Sequence, residues 1–346
     1  MKTEHTKRRK AILGALGGAL IGAFAATAQA DTIQLKFSTM EPPSGPMVNC
    51  FTLPLLEELK AETGGMIEIE TYMGGTGFAH PLRQYEQVAR GVMNISQGVL
   101  SYTPGQFAMT EIATMPLLVD DPEVVSNAIN KLAPEYLADE FKGIHLMAIL
   151  VTPPLYVHTR AAATTLDDLA GKRIRSTGSG ANAFLEALGA IPVQMPAPAI
   201  YENLQTGVID GALSEYLALR SFRIGEVAEN HLLVNTTAAL LFLGMNKTTL
   251  DSLPTETQEL IKAKYSGSEI GARASACWKK LGDGVAEHLK SAGHVFAELS
   301  VADRAKAEAI SAEVTEAYIV ELEAQGKPAR AFYEALMAEI AAQKSN

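Results

Sequence analysis

The sequence predicts an α/β chain of two lobes, with hinge strands crossing between them and helices at the C-terminal end. Three observations carry that expectation. Between Thr165 and Tyr216 the periodicity changes several times. Strands at Lys172–Ser176, Ile191–Gln194 and Val208–Leu213 alternate with helices at Ala181–Leu188 and Ala197–Gln205, the β-α-β-α-β order of a parallel sheet covered by helices. An earlier junction, QVARGVMNI over 87–95, echoes NLQTGVIDG over 203–211. Each is a helix end, a glycine and a buried strand, as two lobes on one plan would give, or as two α/β connections would give by chance. Finally, 346 residues at 47% hydrophobic and 20% charged can bury a core large enough for two domains.

Taken in order, the chain begins with a secretory signal peptide over 1–30: basic Lys7–Lys10, an apolar core Ala11–Thr27, and an Ala28-Gln29-Ala30 cleavage site before Asp31. The apolar run is short for a membrane anchor, and no cysteine follows the cleavage site to take a lipid. Arg8-Arg9 allows twin-arginine export, although Lys10-Ala11 fits it poorly; the sequence does not decide between the two routes. Ile33, Leu35 and Phe37 share one face of a strand over Thr32–Ser38. Val48, Phe51, Leu55 and Leu59 recur at helical spacing, with Pro54 predicting a kink or a start near Leu53. Gly64-Gly65 ends that helix, and Ile67–Tyr72 completes a βαβ unit with a right-handed crossover. Pro81–Arg90 reads as a helix and Val92–Gly98 as a strand.

Ile144–Val151, apolar apart from His145, reads as a central strand. Thr152-Pro153-Pro154 then marks an extended crossing rather than a sheet interior, and Leu155–Thr159 opens the second lobe. Leu232–Met245 is a long apolar run expected to cross back. Pro254–Tyr265 is helical, and the pattern continues through Trp278 to Leu289. His294–Leu299 reads as a last strand. Val301–Gln325 and Ala329–Gln343 read as amphipathic helices separated by Gly326-Lys327-Pro328. The expected limits are a first lobe over 31–151 with a return segment near 238–265, a second lobe over 152–237, and C-terminal helices over 266–346 packing on both.

A formal net charge of −10, with no Lys/Arg run beyond the leader, argues against nucleic acid as a partner. It does not argue against an anionic solute, because one buried arginine outweighs remote surface charge at short range. The two cysteines, Cys50 and Cys277, are free to bridge in an oxidising compartment; geometry decides between that and two buried thiols.

The sequence offers no catalytic set. His5, His80, His145, His158, His231, His288 and His294 are scattered, with no pair at zinc spacing and no C-x-x-C. No G-x-S-x-G elbow or phosphate loop is present. Gly74-Gly75-Thr76-Gly77 is glycine-rich, but His80 stands where a dinucleotide loop needs a further glycine. The expectation is therefore a binding protein without cofactor, metal or enzymatic activity. Arg175 stands out, because it ends the first strand of the β-α-β-α-β stretch while Ser214 and Glu215 end the third. In an open α/β sheet the carboxyl ends of the strands line the ligand crevice. An arginine at the end of a short strand is nonetheless more often a surface residue.

Several segments bear a family resemblance: DLAGKRIR over 168–175, G-x-x-x-F-x-x-ALGA over 180–190, PVQMP over 192–196 and LQTGVIDGA over 204–212. GFAHPLRQYEQVARGVMNIS over 77–96, ATMPLLVDDPE over 113–123 and GMNKTTLDSLPTETQELI over 244–261 add to it. Together they resemble the solute-binding (P) subunits of tripartite ATP-independent periplasmic (TRAP) transporters, over Thr32 to about Ser275. The resemblance implies a two-lobe, type II-like periplasmic binding protein that captures a small organic acid, closes at a hinge and delivers it to membrane subunits. It implies that Arg175 pairs with the solute carboxylate, whose two oxygens match the guanidinium fork, and that Arg160 is structural. It places His80 and its loop close to the solute, with Thr177 just beyond Arg175.

Departures from the family pattern bear on the solute. Ala197 replaces a ring common after Met195-Pro196, and Ser214 stands where an asparagine often binds, followed by Glu215 and Tyr216. No second arginine occurs near Pro154-Leu155. Tyr102, Tyr156, Tyr216 and Phe242 are candidates for the cavity wall, or for the core. These features imply an aromatic or bulky monocarboxylate, held by a monomer or a homodimer. The binding subunit of an ABC importer, or a secreted enzyme on a two-lobe frame, are the alternatives.

Overall fold

The computed structural model describes residues 32–344; the leader and the cleavage site lie outside the described residues. Alternating strands and helices account for the first part of the chain: β1 (Ile33–Thr39), α1 (Leu53–Glu62), β2 (Ile67–Tyr72), α2 (Gln84–Ala89) and β3 (Ile95–Val99). Pro54 sits in the first turn of α1, where its missing N–H costs nothing, and a wider π-type turn over Val48–Thr52 leads into it. α3 (Pro122–Tyr136) starts on Asp121, whose carboxylate accepts the N–H groups of Glu123 and Val124. There follow β4 (Ile144–Thr159), β5 (Arg173–Ser176), α4 (Ser179–Ala187), β6 (Ile191–Gln194), α5 (Ile200–Gln205), β7 (Gly211–Ser214) and α6 (Tyr216–Ser221). The remainder is β8 (Asn230–Asn246), α7 (Lys247–Ser252), α8 (Thr255–Lys264), α9 (Ser268–Ser291), β9 (Val295–Glu298), α10 (Val301–Ala324) and α11 (Ala329–Lys344).

Among the described residues the strands form one sheet in the order β2-β1-β3-β8-β4-β7-β5-β6, with β9 added parallel to β8. At one end β2, β1 and β3 are parallel; at the other β7, β5 and β6 are parallel. Antiparallel β4 and β8 join the two groups and are shared by both. Fully buried Phe37, Leu55, Leu59 and Ile67 anchor the first group, each worth about 1.5–3 kcal/mol of burial. Phe184, Leu185 and Ile174 play that part in the second. α11 packs Phe332, Leu336 and Ile340 with Val125 and Ile129 of α3, while Ala307 and Ile310 of α10 join the cluster of α4.

Thr152-Pro153-Pro154 does not leave the sheet, as its sequence suggested; β4 runs through it as a single strand. The prolines lack N–H donors, and the ladder shifts register between Val151 and Pro154, as a bulge allows. Thr152 Oγ1 takes over as acceptor for the Ala239 N–H at 3.0 Å. Cys50 and Cys277 are bonded, with Cα atoms 6.1 Å apart, tying the turn before α1 to α9 across 227 residues. Closing so long a loop contributes about 2–4 kcal/mol.

Candidate functional site

The carboxyl ends of β1, β3, β5 and β7 face the middle of the sheet, and a cavity of ≈ 50 Å³ lies there. Its polar lining is Glu41, Tyr102, Arg175, Thr177, Ser214 and Glu215; Val99, Leu155, Phe222, Leu241 and Trp278 supply apolar wall. Arg175 is 3% exposed and is held by uncharged groups. Its Nε donates to Met195 O at 2.9 Å, Nη1 to Leu213 O at 2.9 Å, and Nη2 to Tyr102 Oη at 3.0 Å. A guanidinium has five N–H groups, so one remains on each terminal nitrogen. A guanidinium with a donor left on each terminal nitrogen has the means to take a carboxylate in bidentate fashion. A buried cation with neutral partners calls for an anion.

Tyr102 follows β3, yet its hydroxyl oxygen also accepts the Ala197 N–H at 2.8 Å. With two donors on the oxygen, the phenolic proton is left to give. Ser101 and Thr177 share a hydrogen bond, so consecutive residues after β3 reach across to β5. Ser214 is supported from behind. Its carbonyl must accept, so His158 Nε2 donates to it at 2.9 Å. Burial pulls His158 down to about 4, leaving Nδ1 bare to accept from His231 Nδ1 at 2.7 Å. Burial likewise pulls His231 down to about 3, and its Nε2 faces His294 Nδ1 at 3.0 Å. The three rings thus form a polarised row of neutral imidazoles from the cavity wall outward.

Two carboxyl groups face the same cavity. Burial pushes Glu41 up to about 7. Burial also pushes Glu215 up to about 8, opposed by the Leu217 N–H and reinforced by the charge of Glu41. Glu215 is the cap of α6, accepting Leu217 N–H at 2.5 Å and Ala218 N–H at 2.9 Å.

Of the residues singled out in the sequence, the structure brings Arg175, Ser214, Glu215, Tyr102, Thr177 and Ala197 together around the cavity. His80 is exposed and caps the next turn, its Nδ1 accepting the Leu82 N–H. Tyr216 lies against Tyr156 and Phe296 on another surface. Phe242 is 1% exposed and packs on Tyr85 in the core. Arg160 donates to Leu204 O at 2.8 Å, a contact between backbone segments. Glu41, Thr152, Phe222 and Trp278 were not read from the sequence. The ring missing at Ala197 is supplied by Phe222 after α6 and Trp278 of α9, beside the disulfide.

An α/β frame with paired parallel ends, long shared strands and a cavity bearing a buried arginine between them defines a solute receptor of the periplasmic-binding class. The family model for bacterial extracellular solute-binding proteins, family 7 (DctP), matches residues 37–321, and the chain belongs to that family, the receptors of TRAP transporters. Receptors of this family are binding proteins, not enzymes. A solute-binding protein of Albidiferax ferrireducens is 26% identical over 304 residues, 85% of this chain and 89% of that one. The structure of a TRAP solute-binding protein from Rhodoferax ferrireducens T118, with copurified benzoate, superposes with a TM-score of 0.86 at 25% identity, covering 91% of this chain and 99% of that one. A marine metagenome TRAP solute-binding protein specific for aromatic acids, with metahydroxyphenylacetate, gives a TM-score of 0.85 at 25% identity over 89% and 98%. Among the described residues, no helix is long and apolar enough to cross a membrane.

Proposed function

We propose that this chain captures an aromatic or bulky monocarboxylate in the periplasm, after losing its leader, and hands it to TRAP membrane subunits. The observation that carries this reading is the Arg175 fork, two N–H groups unspent, facing a cavity walled by Trp278, Phe222, Leu155, Val99 and Leu241. The guanidinium pairs with the carboxylate; the rings and aliphatic groups take the apolar body. The benzoate and metahydroxyphenylacetate held by the two similar proteins support this class of solute. The lobes run over 31–151 and 152–237, with 238–265 returning to the first and the helices over 266–346 bracing both. In this form the cavity is too small for an aromatic acid, so the lobes separate to admit it, breaking the contacts of Tyr102 and Ser101 with Arg175, Ala197 and Thr177. Closure around a solute is the hinge motion of this class of receptor.

Mass spectrometry of material released from the protein purified from its native host, followed by thermal-shift and calorimetric titration of organic acids, tests the proposal. An acid at about 100 times its Kd adds about 2.7 kcal/mol of apparent stability and is recovered unchanged. Binding confined to uncharged solutes, or consumption of the stabilising acid, overturns it.

A further inference from the structure

Glu41 follows β1 and is 8% exposed. Its backbone is engaged, N–H to Thr39 Oγ1 at 3.3 Å and carbonyl from Gly74 N–H at 2.8 Å. Its carboxyl lines the cavity and has no hydrogen-bond partner among the described residues. Of the other polar groups there, the Ser214 hydroxyl can donate or accept, and the rest are donors or are already occupied. Arg175 and Tyr102 retain protons to give; the Thr152 hydroxyl donates to Pro153 O; Thr177 is joined to Ser101; Glu215 is committed to α6. The cavity therefore has a donor pole around Arg175 and an unfilled acceptor at Glu41.

We infer that Glu41 is a second solute anchor, and that the solute carries, besides the carboxylate held by Arg175, a hydroxyl or N–H group that donates to the Glu41 carboxyl. This rests on the carboxylate-capture reading above and narrows it to acids with a second, proton-donating pole. An unpaired carboxylate at a buried position is costly, which is why burial holds Glu41 protonated up to about 7. An O–H or N–H from the solute restores the ionised form through a charge-assisted hydrogen bond. The titratable groups sharing the cavity are Arg175, Tyr102 and Glu215; of these, the charge of Glu41 acts on Glu215.

Calorimetry with matched acids tests the assignment: benzoate against 3-hydroxybenzoate, 4-hydroxybenzoate and 3-aminobenzoate, and phenylacetate against its hydroxylated forms, each with a methoxy control. At pH 8 the best hydroxy or amino acid is expected to bind wild type about 10- to 100-fold more tightly than its parent, the range of a hydrogen bond to a charged group. At pH 6 the preference shrinks, because binding must then displace a proton from Glu41. Glu41→Gln keeps the shape and removes the charge; Glu41→Leu removes the acceptor. The ratio of donor-bearing to parent affinity, read within each protein, should be reduced in Glu41→Gln and lost in Glu41→Leu. A wild-type protein that binds parent and donor-bearing acids within about threefold, or a preference that survives in Glu41→Leu, overturns the role of Glu41 and leaves carboxylate capture intact. Failure of every acid to bind wild type overturns both.

Discussion

The two parallel ends of the sheet share a plan and differ in chemistry. Gly91 and Gly207 both adopt left-handed backbone, with φ of 73° and 74°. Around the first, Arg90 N–H donates to Glu86 O, Gly91 N–H to Val88 O, and Val92 and Met93 N–H to Gln87 O. Around the second the same pattern joins Thr206 to Glu202, Gly207 to Leu204, and Val208 and Ile209 to Asn203. Three residues on, Asn94 Oδ1 accepts Lys36 N–H at 2.8 Å and Asp210 Oδ2 accepts Arg173 N–H at 2.9 Å. Matching Lys36 with Arg173 sets Ser38 against Arg175. Ser38 is fully buried and satisfied, donating to Gln84 Oε1 and paired with Ser96 Oγ. Arg175 keeps two donors unspent. One scaffold position thus has its hydrogen bonds filled in one half and two donors left over in the other, which is where the proposed function puts the solute carboxylate.

The largest test of that contrast is Arg175→Ala beside Ser38→Ala. Removing the guanidinium strands a buried carboxylate and is expected to cost ~3–5 kcal/mol, or roughly two to four orders of magnitude in affinity. Arg175→Lys keeps the charge, loses the fork and should also bind much more weakly. Ser38→Ala should leave affinity within about threefold and instead cost about 1 kcal/mol of folding stability. Calorimetry and urea unfolding of the three variants decide it; comparable affinity losses in both halves would dissolve the contrast.

Next in size are Gly91→Ala and Gly207→Ala. Neither new methyl meets anything closer than 3.6 Å, a side-chain atom of Asn246 or of Arg160, so the penalty is the left-handed backbone alone, about 1–2 kcal/mol each. Equal losses in urea melts support a common plan; losses differing by more than about 0.5 kcal/mol show that tertiary context has separated the two turns.

The smallest effect is on pH. Each half contributes one buried carboxyl to the cavity lining, Glu41 and Glu215, held up to about 7 and about 8 by burial. A carboxyl whose folded pKa is raised binds more protons folded than unfolded, so its contribution is complete below the ordinary glutamate range and is lost as pH rises through the folded value. The buried histidines run the other way and matter only as pH falls below their ordinary value near 6.5. Between pH 6.5 and about 8 the ligand-free protein should therefore lose stability, and Glu41→Gln with Glu215→Gln should weaken the trend. A wild type whose stability stays flat over that interval would mean that these carboxyls are ionised throughout.

The strand of Arg175 could be read because a short alternating run is a local signal, whereas the arginine by that signal alone reads as a surface residue and is singled out by the family resemblance. The rule that the carboxyl ends of strands line the crevice, applied to β1, points at Glu41, but Met40-Glu41-Pro42-Pro43 carries no periodicity to draw attention to it. Trp278 and Phe222 were illegible for a different reason. Trp278 sits in an amphipathic helix about 100 residues after Arg175, where an apolar residue reads as core, and only the tertiary fold turns it to the cavity. His80 shows the converse, since a loop placed correctly after β2 does not reveal which way its side chains face. The prolines of β4 misled because a bulge absorbs missing donors without ending a strand.

The disulfide sets an order of events. A chain that crosses a membrane N-terminus first presents Cys50 early and its partner 227 residues later. With two cysteines in the chain a single intramolecular pairing exists, so maturation needs an oxidant and no reshuffling. Until that oxidation, α9 is held beside the first half of the sheet by packing and surface ion pairs such as Arg273 with Glu58, which contribute little. Trp278 is next to Cys277, so the aromatic wall of the receptor is the part fastened last.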